Sequence, residues 1–132
     1  MPLGGILGSI ALSLWLLVGI AQAGESGGDA GATPYMKLET FTVNLKDVSH
    51  FLQIDIALKF SDPATAERIK AFNPLLRNNL IYILSNHSVD EINTLAGKLK
   101  LMEDIKVSLN KELKLDPKHS ILSVLFESFV IQ

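Results

Sequence analysis

The chain has 132 residues, with 12 Lys+Arg against 14 Asp+Glu and no cysteine. The lack of cysteine excludes disulfides, a lipid-modified cysteine, thiolate metal sites and cysteine nucleophiles, so an extracytoplasmic domain here must be held by its core. With a net charge of −2 and no basic block, aromatic-basic interleaving or Gly-rich phosphate loop, binding of nucleic acids and nucleotides has no support.

All charged side chains lie after Gly24. From Leu3 to Ala21 the sequence runs without a charge, and at about 1.5 Å rise per residue a helix of that length spans roughly 28 Å. The hydrocarbon core of a bilayer is about 30 Å thick. Residues 1–23 are therefore expected to form a transmembrane anchor. The competing reading is a signal peptide cut after Ala23, because Ala21-Gln22-Ala23 has the small-x-small form of a cleavage site. The length of the apolar run favours the retained anchor. Orientation rests on the amino group of Met1 alone, since no Lys or Arg flanks the span.

Residues 24–34 contain Gly24, Gly27, Gly28 and Gly31 and no large apolar side chain. This composition predicts a flexible linker with a root-mean-square span of about 18 Å, enough to lift a domain just clear of lipid headgroups.

Residues 35–132 read as one α+β domain. Tyr35 to Leu45 is the first strand candidate, with Phe41, Val43 and Leu45 on one face; Leu38 has the wrong parity unless a bulge near Glu39 and Thr40 restores it. Lys46 to Ser49 reads as a turn. Leu52, Ile54, Ile56, Leu58 and Phe60 then share one face of a second strand while Gln53, Asp55 and Lys59 take the other, which predicts an antiparallel hairpin with one wet face. Asp62-Pro63 has the form of a helix start, and Pro74 either divides the helical stretch or kinks it. Leu76, Leu80, Ile83 and Leu84 place a helix over Pro74–Ser85 on the sheet, with Arg77, Asn78 and Asn79 on its polar flank. Ser88 to Glu91 has the form of a capping box opening a short helix to about Asn93. A long helix over about Leu95–Leu115 carries Met102, Ile105, Leu109 and Leu113 in one stripe, its lysines mainly on the solvated side. Ile121 to Gln132, apolar on both faces, is expected to be a strand inside the sheet.

No catalytic set emerges. His50, His87 and His119 stand far apart, none with a ligand partner one helical turn away, and each reads as a loop residue; no metal or other cofactor is expected. The neighbouring carboxylates Asp90-Glu91 and Glu103-Asp104 fall in helical, lysine-punctuated sequence. Ser85 and Ser88 bracket His87 without nucleophile-elbow glycines. Two residues remain as candidates for interaction. Asn44 either bonds nearby backbone before the turn or meets a partner. Arg77 either covers apolar surface with its stem or pairs with an acid on a neighbouring subunit.

Phe41-Thr-Val-Asn-Leu45, Pro74 with Arg77 and Leu84-Ser85, Leu95 with Gly97 and a helix to Asn110, and the terminal Val124 to Gln132 together resemble the flagellar basal-body-associated FliL family over residues 35–132. The resemblance implies a non-enzymatic protein anchored by residues 3–21 in the bacterial inner membrane. Its periplasmic domain would be similar to the SPFH domains of stomatin-like scaffolds. The implied partners are flagellar stator and basal-body proteins, with self-association into a ring around stator units and a role in motility. A generic membrane-surface scaffold or adaptor unrelated to flagella is the alternative.

Overall fold

The computed structural model describes residues 34–132; the anchor expected over residues 1–23 and the linker before Pro34 lie outside the described residues. The elements are β1 (Tyr35–Lys37), β2 (Phe41–Asn44), β3 (Phe51–Phe60), α1 (Pro63–Ala71), α2 (Asn73–Ser85), α3 (Val89–Ile92), α4 (Leu95–Glu112) and β4 (Ile121–Ile131). Strands and helices in this order build an α+β domain with an antiparallel sheet. Among the described residues no helix is long and apolar enough to cross a membrane.

β3 is the centre of the sheet. Lys59 to Ala57 pair with Tyr35–Lys37 and Ile54 to Phe51 pair with Phe41–Asn44; of these residues all but Phe51 also pair with β4, and Phe51 bonds Gln132 just beyond it. A strand has only two edges, so β1 and β2 follow one another along one side of β3 and β4 runs along the other. Lys37 lies opposite Ala57 and Phe41 opposite Ile54, which sets Leu38, Glu39 and Thr40 against Asp55 and Ile56. The extra residue is the bulge that the parity of Leu38 requires. Leu38 is accordingly buried, its N–H bonded to the Ile56 carbonyl at 2.9 Å, while Thr40 Oγ1 donates to Asp55 Oδ1 at 2.5 Å.

The last strand corrects the expectation that it lies inside the sheet: β4 pairs with β3 alone among the described residues and is an outer strand. Its inner face, with Ile121, Val124, Phe126, Phe129 and Ile131, packs towards the helices, but Leu122, Leu125 and Val130 are 44%, 40% and 42% exposed. Among the described residues helices cover one face of this sheet only, so apolar character on both faces did not signal a central position. The uncovered face is strapped by charge instead. Lys37 Nζ on one side strand reaches Glu127 Oε2 on the other at 3.1 Å, across the row occupied by Ala57, whose small side chain is buried there.

The helical layer is fixed by its caps. Asp62 Oδ1 accepts the Thr65 N–H at 2.8 Å, with Pro63 in the first turn where its missing N–H costs nothing. Phe72 divides α1 from α2, and Pro74 stands in the first turn of α2. Ser88 Oγ accepts the Glu91 N–H and Thr94 Oγ1 accepts the Gly97 N–H at 3.0 Å. The buried stripe of α4 is Leu101, Ile105, Leu109 and Leu113; Met102, expected in the stripe, sits half-buried on its flank. Leu101 and Met102 are both compatible with helical spacing to Ile105, and only the packing direction separates them. At the end of α4 the chain turns through Lys114 in the left-handed region (φ 52°), and Arg68 Nε bonds the Leu113 carbonyl at 2.8 Å. His119 then reaches back to Asp62 Oδ2, and Ser61 and Ser120 exchange bonds of 2.9 and 3.0 Å, so the start of β4 is tied to the start of α1.

Gly97 has a packing requirement. A Cβ built there would lie 1.9 Å from the Glu91 carbonyl oxygen, because α3 presses its backbone against the first turn of α4. Gly97→Ala is expected to destabilise the protein by about 1–3 kcal/mol through overpacking, read as a lower urea midpoint. Removing Phe126–Gln132 strips β3 of its pairing from Leu52 to Ile56, and this truncated chain is expected to lose cooperative melting. Asp62 carries a pH signature. The Thr65 N–H, followed by His119 and the Thr65 hydroxyl, holds its carboxyl below the reference value of 3.8 against the opposing effect of desolvation. A lowered folded pKa gives stability that is present above 3.8 and lost as pH falls through the folded value. The stability difference between wild type and Asp62→Asn is therefore expected to shrink on acidification below that pH; a difference that grew would contradict the assignment.

Candidate interaction surface

Asn44, the first of the two candidate interaction residues, has a local partner. At the end of β2, it donates from Nδ2 to the Val48 carbonyl at 3.2 Å and so closes the turn that leads to β3. Asp47 and His50 complete that turn, with His50 Nδ1 2.6 Å from Asp47 Oδ2. Lys46 N–H bonds the His87 carbonyl at 2.9 Å, which joins the turn to the loop after α2. Asn44 and Arg77 are not brought together by any of these contacts.

Arg77 is positioned by α2, one residue beyond the buried Leu76. Its guanidinium lies 4.1 Å from the centroid of the Phe41 ring, and Nη1 donates to the Glu39 carbonyl at 3.4 Å. It therefore closes the sheet bulge from the helix side. Cation–π contact of this kind contributes about 0.5–1 kcal/mol at an exposed site. Met36, Glu39, Ile69, Lys70, Asn73 and Arg77 line a cleft of about 280 Å³ at this place. Among the described residues no carboxylate pairs with the Arg77 guanidinium, which leaves its charge available beside the cleft.

A larger open groove, about 780 Å³, lies between α2 and α4 and includes Tyr82, Ile83, His87, Lys100, Asp104 and Ser108. Its polar groups are engaged with one another. Lys100 Nζ is 2.7 Å from Asp104 Oδ2, Ser108 Oγ donates to Asn79 Oδ1 at 3.0 Å, and His87 Nδ1 meets the Ile83 carbonyl at 2.7 Å. A carbonyl only accepts, so Nδ1 carries the proton. Ser85 Oγ bonds the Ile81 carbonyl at 2.6 Å rather than His87, so the Ser85–His87 neighbourhood holds no activated nucleophile. All three histidines stand outside helices and strands. Among the described residues no group of three His, Cys, Asp or Glu side chains converges as a metal site.

Sequence reasoning missed two residues that organise the outer strand. Asn110 accepts the Ile121 N–H at 2.8 Å and donates to its carbonyl at 3.0 Å, acting as a short stand-in for a further strand. An Asn on the half-buried flank of an otherwise lysine-rich helix was the available signal. Lys98 places Nζ 4.8 Å from the centroid of Phe129, and nothing in local sequence links those positions.

The family model for the flagellar basal body-associated protein FliL matches residues 35–132. The chain is 33% identical over 99 residues to the flagellar protein FliL of Escherichia coli (strain K12), covering 74% of this chain and 64% of that protein, and shows the same figures against its Shigella flexneri counterpart. It thus spans just under two thirds of the length of these curated relatives. The elements that carry the match are those that build the sheet, the bulge and its helical cover, and the chain belongs to the FliL family of flagellar basal body-associated proteins.

Proposed function

We propose that the protein is a non-enzymatic basal-body component that supports bacterial motility by assembling around stator units of the flagellar motor and stabilising them. Family membership is the observation that carries this reading. The apolar run Leu3–Ala21 would hold the chain in the inner membrane, and the Gly-rich linker would let the domain, similar to SPFH scaffolds, work in the periplasm near the lipid surface.

Mechanical support of this kind is a bias between states. A scaffold stabilises an assembled stator only as far as it binds that state more tightly than the others. Many weak contacts around a ring supply the bias, because a shared membrane raises the effective concentration of each contact. A ring requires heterologous contacts, one patch against a different patch. Arg77 suits one side of such a contact: its position is fixed by Phe41 and the bulge, while its charge has no acidic partner among the described residues. A generic membrane-surface scaffold unrelated to flagella is the alternative, and motility separates the two.

A deletion strain is expected to lose or reduce swimming, with recovery on expression of the wild-type chain. Arg77→Glu is expected to leave the protein folded and membrane-associated but to lower both motility and self-association at least several-fold. Normal swimming in the deletion strain would overturn the flagellar role. Unchanged motility and self-association in Arg77→Glu would remove that residue from the contact surface.

A further inference from the structure

Among the described residues, the outer side of β4 is where the fold leaves backbone unpaired. Phe51 and Gln132 exchange both of their backbone bonds, at 2.8 and 2.9 Å. By the antiparallel alternation, the N–H and C=O groups of Phe129 and Ile131 therefore point away from β3. At the other end of β4 the equivalent outward groups, on Ile121, are met by Asn110. That contact also fixes the course of α4: its half-buried row Lys98, Met102, Lys106 and Asn110 follows this side of the strand, from Phe129 back to Ile121. Leu95 and Leu99 lie next to this row and are 73% and 55% exposed. An open strand edge is thus bordered by an apolar helix lip and by the exposed Leu125 and Val130 of the sheet. Outer strands are commonly guarded by charge, proline or short length. Here the strand has 11 residues, and its one charged residue, Glu127, is engaged by Lys37.

We propose that a second copy of this chain docks on this edge, β4 against β4 in antiparallel pairing about a two-fold axis, with α4 packing on its counterpart through Leu95, Leu99 and Met102. Antiparallel pairing extends the sheet in the only mode it uses. Positions 95, 99, 102 and 106 follow the alternating four-and-three spacing of a helix-to-helix seam. Of the two lysines on this row, Lys106 Nζ is 2.9 Å from Glu103 Oε2 and Lys98 Nζ lies 4.8 Å from the centroid of Phe129, so each is engaged within its own copy. The open part of the strand, Val124 to Ile131, extends about 27 Å, and a strand layer with a helix layer above it is about 15 Å high. The contact is then on the order of 400 Å² per copy, below the roughly 1,000 Å² in total of a stable specific interface. The association is a weak, transient pair. It closes on two copies and is separate from a heterologous ring. Arg77 stands at the opposite edge of the sheet, so the two associations fail independently.

The test uses the absence of natural cysteine. In the full chain in membranes, Leu99→Cys is expected to give a cross-linked dimer with a short bismaleimide, whereas Tyr82→Cys, on the α2 side, gives at least tenfold less. Adding Leu125→Lys or Val130→Lys to Leu99→Cys is expected to abolish the dimer while leaving the melting transition in place. No cross-link at position 99, or equal yields at 99 and 82, would overturn the two-fold pair. So would a dimer that survives both lysine substitutions in a folded chain.

Discussion

A polar backbone cannot be buried unless its N–H and C=O groups are paired, and β3 meets that condition by having neighbours along both sides. The helices can then seal its inner face. Leu52, Ile54, Ile56 and Leu58 are each 0% exposed because the strand beneath them loses no hydrogen bond by leaving water. The bulges also serve this strand. Glu39 and Thr40 on one side and Glu127 on the other interrupt the pairing near Asp55, so both neighbours bend at the same level and curve the sheet under α2 and α4.

How legible this was in the sequence depends on how far each determinant reaches along the chain. The period-two pattern of β3, the Asp62-Pro63 cap and the Pro74 break act within a few residues, and each could be read directly. The bulge was also readable, because the parity of Leu38 conflicts with that of Phe41. The position of β4 was not. Its apolar residues on both faces look like those of a central strand, and the difference lies in whether a further strand exists to cover its outer edge. Likewise Arg77 could be named as a residue without a clear local role, but its perch on Phe41 joins residues 36 positions apart. Asn110 and Lys98 find partners through the return of β4 beneath α4, a relation that no local pattern encodes.

The candidate surfaces share a chemical character that separates them from a catalytic site. In the α2–α4 groove the Lys100–Asp104 pair, the Ser108–Asn79 bond and the His87–Ile83 bond occupy groups that a reaction would need free and convergent. At the sheet edges the opposite holds. Among the described residues Arg77 has no acidic partner, and the outer edge of β4 has no strand beside it.

These two unsatisfied edges have unequal strength. Arg77 presents one charge on a half-exposed surface, and solvent screening keeps a single contact there to about 1 kcal/mol or less. β4 presents a row of hydrogen-bonding groups flanked by apolar side chains, which gives geometric register as well as area. An assembly built on the Arg77 side would therefore need repetition and a shared membrane to become stable, whereas the proposed pairing through β4 would draw its stability from one continuous contact. A chain that carries both edges on opposite sides of a narrow sheet can be held in pairs by one and recruited into larger assemblies by the other. In the proposed assemblies the balance would be set by the local concentration of copies, because the Arg77 edge would gain from every neighbour and the β4 edge from only one.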